Sequence, residues 1–332
     1  MNAPPTPDRG NFLIASFCNQ TKQHRLHDLA IIDPDSGAVG VVTLRCPRPV
    51  RGITGICRHH DLLIMGIQEG AGHRLIVVDP DTWDVVSAYA SDNIRDVHSL
   101  VVHDTHVLVV SSGNNAIFRL TFAGNRIVGD ELYWRYPETS ATDDDVHLNC
   151  LTVYAGRLIA CCFNHRTPEG HWAQQDGRVF DVLTGETLLA GLGQPHTAYA
   201  AGTHLYVCES RTGKMFAGAE ADNGWAWQEI TGRGYTRGVL KAGDRVFLGI
   251  SSSRQFSRIH NTPVTKNTAP YSGCEIAEVD AGGQSVVPLC DLSGIGNEVY
   301  DVIQTDCRWP DRSHGPTVLF RLRQKIFKSR WP

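Results

Sequence analysis

The stretch HLNCLTVYAGRLIACCFN, residues 147–164, reads as an apolar run, a tight Ala-Gly turn and a second run of β-formers. The same pattern returns as RGITGICRHHDLLIMGIQ from Arg51, VHSLVVHDTHVLVVSSG from Val97, HTAYAAGTHLYVCES from His196 and TRGVLKAGDRVFLGISSS from Thr236. A sixth copy is split between the chain ends: NFLIASFCNQ from Asn11 carries only the second half, and NEVYDVIQTD from Asn297 reads as the missing first half. Between the copies lie further strand–turn–strand segments, such as LAIIDPDSGAVGVVTL and VFDVLTGETLLAGL, whose Asp-Pro-Asp and Thr-Gly turns have hairpin chemistry. Four strands per unit, repeated at roughly 40–50 residues, is the pattern of a β-propeller.

The expectation is therefore an all-β, six-bladed propeller, with seven blades as the alternative. The segment from Asn297 to Asp306 supplies the innermost strand of the blade begun at Asn11, which removes the open edge that a ring of sheets would otherwise leave. One propeller domain spans residues 11–310, after a disordered N-terminus at 1–10 and before a basic C-terminal tail at 311–332.

Composition narrows the function. Apolar residues form 42% of the 332, and charged residues only 20%, which excludes a disordered or coiled-coil protein. A net charge of −4 argues against a polybasic nucleic-acid binder, so no nucleic-acid partner is expected. No apolar run approaches the roughly 18 residues of a membrane span, and the N-terminus lacks the basic-then-apolar order of a secretory signal. The ten cysteines sit mainly in apolar strand-like runs and form no CxxC pair, which predicts reduced core thiols in a cytoplasmic protein. The sequence carries no indication of oligomeric state.

In a propeller the innermost strands line a central tunnel. Counting back nine residues from the start of each second strand gives His98, Asn149, His196, Arg237 and Ile53. Because side chains two apart share a strand face, His147 and Arg51 join the same tunnel mouth. Three histidines from consecutive blades, His98, His147 and His196, are candidate ligands for a divalent ion (zinc, iron or manganese), with Glu298 as the fourth ligand or Asp301 or solvent in its place. Arg237, Arg51, Asn149 and Arg254 are candidates for binding a small anionic substrate, since a guanidinium offers a bidentate fork to an oxyanion. Tyr300 and Glu209 are candidate acid–base groups. The acidic run Asp143–Asp145 reads as a solvated loop, and the polar loop from Arg254 to Ser272 as a lid.

No GxSxG, GxxxxGK[ST] or post-strand GxGxxG motif occurs, so acyl-serine and nucleotide chemistry have no support. The leading expectation is a metal-dependent lyase, epimerase or hydrolase acting on a small anionic metabolite at the tunnel mouth. The alternatives are a non-catalytic propeller that binds a glycan, peptide or protein, and an iron-dependent oxygenase.

At these motifs the chain resembles an uncharacterised bacterial family known as a domain of unknown function. The shared motifs stand here as His147-Leu148-Asn149, Pro195-His196-Thr197, Thr236-Arg237-Gly238, Gly249-Ile250-Ser251-Ser252-Ser253-Arg254 and Glu298-Val299-Tyr300-Asp301-Val302. The resemblance covers about residues 95–310 and implies the same fold and site, but no settled activity. One departure stands out: the Asn-Ser-Gly-Thr-Gly usual after the Pro-His motif is replaced by Cys208-Glu209-Ser210-Arg211-Thr212-Gly213, which implies a shifted substrate.

Overall fold

The repeat pattern folds as its periodicity requires. The computed structural model describes residues 9–19, 27–45, 51–69, 72–167, 172, 175–253 and 271–310. The first blade comprises β1 (Arg9–Cys18), β2 (Leu29–Ile32) and β3 (Val39–Val42), and its innermost strand is β24 (Glu298–Arg308) from the far end of the chain. The second holds β4 (Gly52–His59), β5 (Leu62–Glu69), β6 (Gly72–Val78) and β7 (Val85–Tyr89). The third holds β8 (Val97–His103), β9 (His106–Ser111), β10 (Ala116–Ala123) and β11 (Arg126–Arg135). The fourth holds β12 (Leu148–Tyr154), β13 (Arg157–Cys162), β14 (Gly177–Asp181) and β15 (Thr187–Leu192). The fifth holds β16 (Pro195–Ala201), β17 (His204–Glu209), β18 (Lys214–Ala221) and β19 (Gly224–Ile230). The sixth holds β20 (Tyr235–Ala242), β21 (Arg245–Ser251), β22 (Glu275–Val279) and β23 (Val286–Asp291).

These are six four-stranded antiparallel sheets, so the protein is a six-bladed β-propeller and not the seven-bladed alternative. The closure anticipated from the split repeat is present: β24 pairs antiparallel with β1 from Arg9↔Arg308 to Cys18↔Glu298. That strand opens at Arg9, two residues before the expected domain start, while residues 1–8 and the tail from 311 lie outside the described residues. Among the described residues, no helix is long and apolar enough to cross a membrane.

The core is not one ball but six apolar seams between neighbouring blades. At one seam Phe17 and Phe247, both fully buried, pack with Val299 of the closing strand; burying each such ring contributes about 1.5–3 kcal/mol. Side chains of the inner strands also stitch blade to blade. Ser99 Oγ accepts the Leu151 N–H at 3.4 Å, Thr152 Oγ1 the Ala200 N–H at 3.1 Å, and Thr197 Oγ1 the Gly238 N–H at 3.0 Å. At the closure Asp301 Oδ2 takes this role, accepting the Ile56 N–H at 3.3 Å.

Two features of the inner strands position the site. A residue in the left-handed region immediately precedes β8, β12, β16 and β20: Asp96 (φ 56), His147 (φ 48), Gln194 (φ 55) and Gly234 (φ 61). Every innermost strand then slips register against its neighbour, between Ile53 and Ile56, Val97 and Ser99, Leu148 and Cys150, Pro195 and Thr197, Arg237 and Val239, and in β24 opposite Ala15 and Phe17. Bulges of this kind re-aim the residue left over. In three blades that residue is His98, Asn149 or His196.

Candidate functional site

The inner strands enclose a channel cavity of about 310 Å³, to which all six blades contribute. His98, His196 and Tyr300 line it at the end where those strands begin, Asp301 lies beside Tyr300, and Arg58 and Gln304 line the opposite end.

The three histidines share one mode of anchoring. His98 places Nδ1 3.0 Å from the Asp96 carbonyl oxygen, and His196 places Nδ1 2.9 Å from that of Gln194. Both contacts reach back two residues to the left-handed position. His147, which occupies that position itself, places Nδ1 2.7 Å from Asp144 Oδ2, while Asp144 Oδ1 accepts the His147 backbone N–H at 2.9 Å. A carbonyl or carboxylate can only accept, so in each neutral ring the proton sits on Nδ1 and the lone pair on Nε2. Nε2 of His98 and of His147 has no hydrogen-bond partner among the described residues. Burial holds the His98 pKa down at about 4, against a weaker upward pull from Asp96, so this ring is neutral at pH 7. At Asp144 burial alone would raise the carboxyl; the charge of His147 and the hydrogen bond to it outweigh burial and hold it below its ordinary value.

Around the mouth these rings form a closed circuit. Ring centres lie 5.9 Å apart for Tyr300 and His98, 4.9 Å for His98 and His147, 6.3 Å for His147 and His196, and 5.2 Å for His196 and Tyr235. Arg237 closes it, its guanidinium carbon 5.1 Å from the Tyr235 ring centre and 4.9 Å from that of Tyr300. The Tyr300 hydroxyl is buried with no hydrogen-bond partner among the described residues, and burial raises its pKa well above the usual phenol value, so it stays protonated.

The other expected residues are placed less directly. Arg237 Nη1 donates to Cys18 Sγ at 3.2 Å and lies 3.8 Å from Glu298 Oε2, with both charged side chains buried. Glu298 Oε2 also accepts from Asn19 Nδ2 at 2.7 Å. Arg237 is thus matched by a carboxylate, and neither residue lines the channel cavity. Glu209 is occupied in its own turn, accepting the Gly193 N–H at 2.7 Å and the Thr212 hydroxyl. Asn149 is fully buried, with Nδ2 3.4 Å from the His147 carbonyl oxygen and Oδ1 without a partner among the described residues. Arg51 is exposed just before β4, and Arg254 lies outside the described residues, as does the loop expected as a lid up to residue 270.

Several contributors escaped sequence reasoning. Asp144, expected in a solvated loop, grips His147. Trp172 packs on the His147 ring at 4.8 Å, with the Arg166 guanidinium carbon 4.4 Å from the Trp172 ring centre, and Phe163 lies 4.4 Å from His147 and 5.0 Å from His196. Only the Asp144-x-x-His147 spacing offered a signal, because three residues suit a side chain returning to the ring of its own turn.

A family model described as a domain of unknown function (DUF4915) matches residues 81–311. The chain belongs to that family. Among curated proteins none matches this DUF4915 chain in sequence. In three dimensions it is similar to a protein of unknown function from Bacteroides caccae, at 10% identity and a TM-score of 0.58 over 89% of this chain and 98% of that one. It is also similar to a chain of a nidogen/laminin complex, at 10% identity and a TM-score of 0.61 over 89% and 98%. A third similar structure, provisionally named a 6-phosphogluconolactonase, comes from Bacteroides fragilis, at 12% identity and a TM-score of 0.54 over 91% and 100%. At these identities the likeness is one of fold alone.

Proposed function

We propose that the tunnel mouth takes up a divalent metal ion through Nε2 of His98, His147 and His196, and that the protein is an enzyme acting there on a small anionic metabolite, as a lyase, epimerase or hydrolase. The observation that carries this reading is the anchoring of all three Nδ1 atoms by oxygens at 2.7–3.0 Å. Metal-binding histidines are held in this way, with the second nitrogen tied to a carbonyl or carboxylate.

The donor set fits an ion better than it fits an anion. Nε2 of His98 and of His147 has no partner among the described residues, Nε2 of His196 lies 3.3 Å from the Tyr235 hydroxyl, and the nearby guanidinium groups of Arg237 and Arg166 are matched by Glu298 and Asp144. Among the described residues no three His, Cys, Asp or Glu side chains yet stand close enough to share an ion. Nitrogens about 2.1 Å from one ion are about 3.4 Å apart. Uptake therefore requires the rings to turn, above all across the 6.3 Å between His147 and His196. When bound, the ion would supply polarisation of a carbonyl or carboxylate, or an activated water.

The protein's own groups would do the rest. Asp144 fixes the tautomer and direction of His147. The protonated Tyr300 hydroxyl, beside His98 and without a partner among the described residues, is available to donate to a substrate oxygen. Glu298, committed to Asn19 and Arg237, is better placed to hold the closing blade than to complete the ligand set. The nine described cysteines, all buried and reduced, support a cytoplasmic setting.

The test is elemental analysis of protein purified without a metal-affinity tag or chelator, beside a His147→Ala, His196→Ala double variant. Near-stoichiometric zinc, iron or manganese that vanishes in the variant is expected. No metal, and none taken up on titration, would overturn the reading and leave a non-catalytic binding funnel.

A further inference from the structure

We propose that the third blade carries a second site, independent of the histidine cluster, which binds an oxyanion (the phosphate or carboxylate of a small ligand) between Arg95 and Arg135. The two arginines line one pocket of about 350 Å³ together with Asp92, Asn93, Asn114 and Leu132.

The argument begins with charge. Arginine stays protonated at any physiological pH, and in most settings a carboxylate meets it. Here neither guanidinium meets a carboxylate among the described residues; each touches only backbone oxygen. Arg135 Nη1 donates to the Asn114 carbonyl at 2.7 Å and approaches that of Ser140 at 3.5 Å, and Arg95 Nη1 approaches that of Thr142 at 3.5 Å. Each guanidinium has five N–H donors, and these contacts use one nitrogen of each. A neutral amide could hold those carbonyls as well, so the loop contacts alone give the positive charge no role. Asp92 is the acid that lines the pocket, and Asp143 nearby is taken up by the hydroxyls of Ser140 and Thr142. Asp130 is likewise taken up by neutral donors of Tyr89, Ser91 and Asn93, and Asp145 by those of Ser140 and Asn115.

The backbone around the pair is firmly built. Ser111 Oγ accepts the Arg95 N–H at 2.7 Å and donates to the Arg95 carbonyl at 2.8 Å, and that carbonyl also accepts the Gly113 N–H at 3.0 Å. Asn114, itself buried, donates from Nδ2 to the Asn93 carbonyl at 2.8 Å and fixes the pocket floor. Arg95 directly precedes Asp96, whose carbonyl oxygen holds His98, so the pocket opens at the same end of the propeller as the histidine cluster. Two guanidinium forks lining one pocket suit the paired oxygens of a phosphate or carboxylate.

The test is calorimetric titration with inorganic phosphate and, separately, with succinate, at constant ionic strength. The proteins are the wild type, Arg95→Gln, Arg135→Gln and His147→Ala. Saturable binding of at least one probe is expected in the wild type, weakened about tenfold in each arginine variant and unchanged in His147→Ala. Arg95 is exposed, so Arg95→Gln carries the test should Arg135→Gln misfold. Absence of saturable binding by both probes, or binding that survives in Arg95→Gln, would overturn the proposal. Loss of binding in His147→Ala with retention in Arg95→Gln would also overturn it, by moving the anion to the tunnel mouth, and would leave the metal reading to its own test.

Discussion

Replacing Asp144 by Asn is the sharpest perturbation of the histidine cluster, because it changes almost no volume. The carboxylate uses both oxygens on His147, Oδ2 at 2.7 Å from Nδ1 and Oδ1 at 2.9 Å from the backbone nitrogen. An amide has one oxygen. If that oxygen keeps the backbone N–H, the amide NH2 faces Nδ1; the ring must then accept there, and its proton moves to Nε2, abolishing the lone pair a metal needs. If the amide is reversed, the backbone N–H faces a donor. The first orientation keeps both bonds but in the tautomer that cannot bind a metal; the second loses the backbone bond. Loss of such an outer partner costs about 10–100-fold in metal affinity, or about 1.4–2.8 kcal/mol. A single charge-assisted hydrogen bond, at about 1.5–3 kcal/mol, gives the same scale. The Asp144 side chain is only 15% exposed, so solvent screening removes little of this.

The assay is a zinc titration against a competing chelator, read beside thermal unfolding as a function of pH. Asp144 is held below its ordinary pKa in the folded state, with burial opposing and His147 prevailing. Its stabilising contribution is therefore present above the unfolded value of about 3.9 and is lost as pH falls through the lower folded value. The stability gap between wild type and Asp144→Asn should be widest near neutral pH and should close in acid. Equal zinc affinities in two well-folded proteins would refute the reasoning about the tautomer.

Three further outcomes follow from the closure and the channel. Burial raises Asp301 to about 6, against the Ile56 and Val302 N–H groups that favour its ionised form. Its contribution to stability is full below about 3.9 and is lost as pH rises through that folded value, so Asp301→Asn should flatten the melting curve against pH between those limits; parallel curves would rule this out. In Gly249→Ala the new Cβ would stand 2.4 Å from the Arg237 carbonyl oxygen and 2.5 Å from Val299 Cγ1; a loss of about 1–3 kcal/mol is expected by urea unfolding, and an unchanged midpoint would show that the blades can separate cheaply. A chain ending at Gly296 loses β24 and bares the edge of β1, so size-exclusion chromatography should show aggregation, and a monodisperse, cooperatively folding monomer would contradict the closure argument.

The blades were legible because each is built from local hairpins, whose apolar runs and turn residues recur in order, and because the split repeat leaves Asn297–Asp306 only one partner. The histidines were legible for a related reason: counting from the second strand places His98 and His196 at equivalent positions without knowing any distance between blades. The same counting places Asn149 at the equivalent position, left over at the slip between Leu148 and Cys150 as His98 and His196 are at theirs, but its shorter side chain is fully buried beside the His147 carbonyl. A bulge has no residue signature here, since the residue left over is His, Asn, Gly or Tyr in different blades. The partners of Arg237 and Glu209 were not legible, for a different reason. Their settings are made by Glu298 and Cys18 in one case and by Gly193 and Thr212 in the other, and contacts between blades leave no spacing to count. The anchoring of the imidazoles is the opposite case. Asp96, Gln194 and Asp144 precede their histidines by two or three residues, so the left-handed residue that starts each strand and the turn before it orient each ring locally. Ring direction is thus a property of each blade alone, whereas ring-to-ring distance belongs to the closed circle. A mutation in the β24 closure should accordingly alter metal affinity while leaving each Nδ1 contact intact.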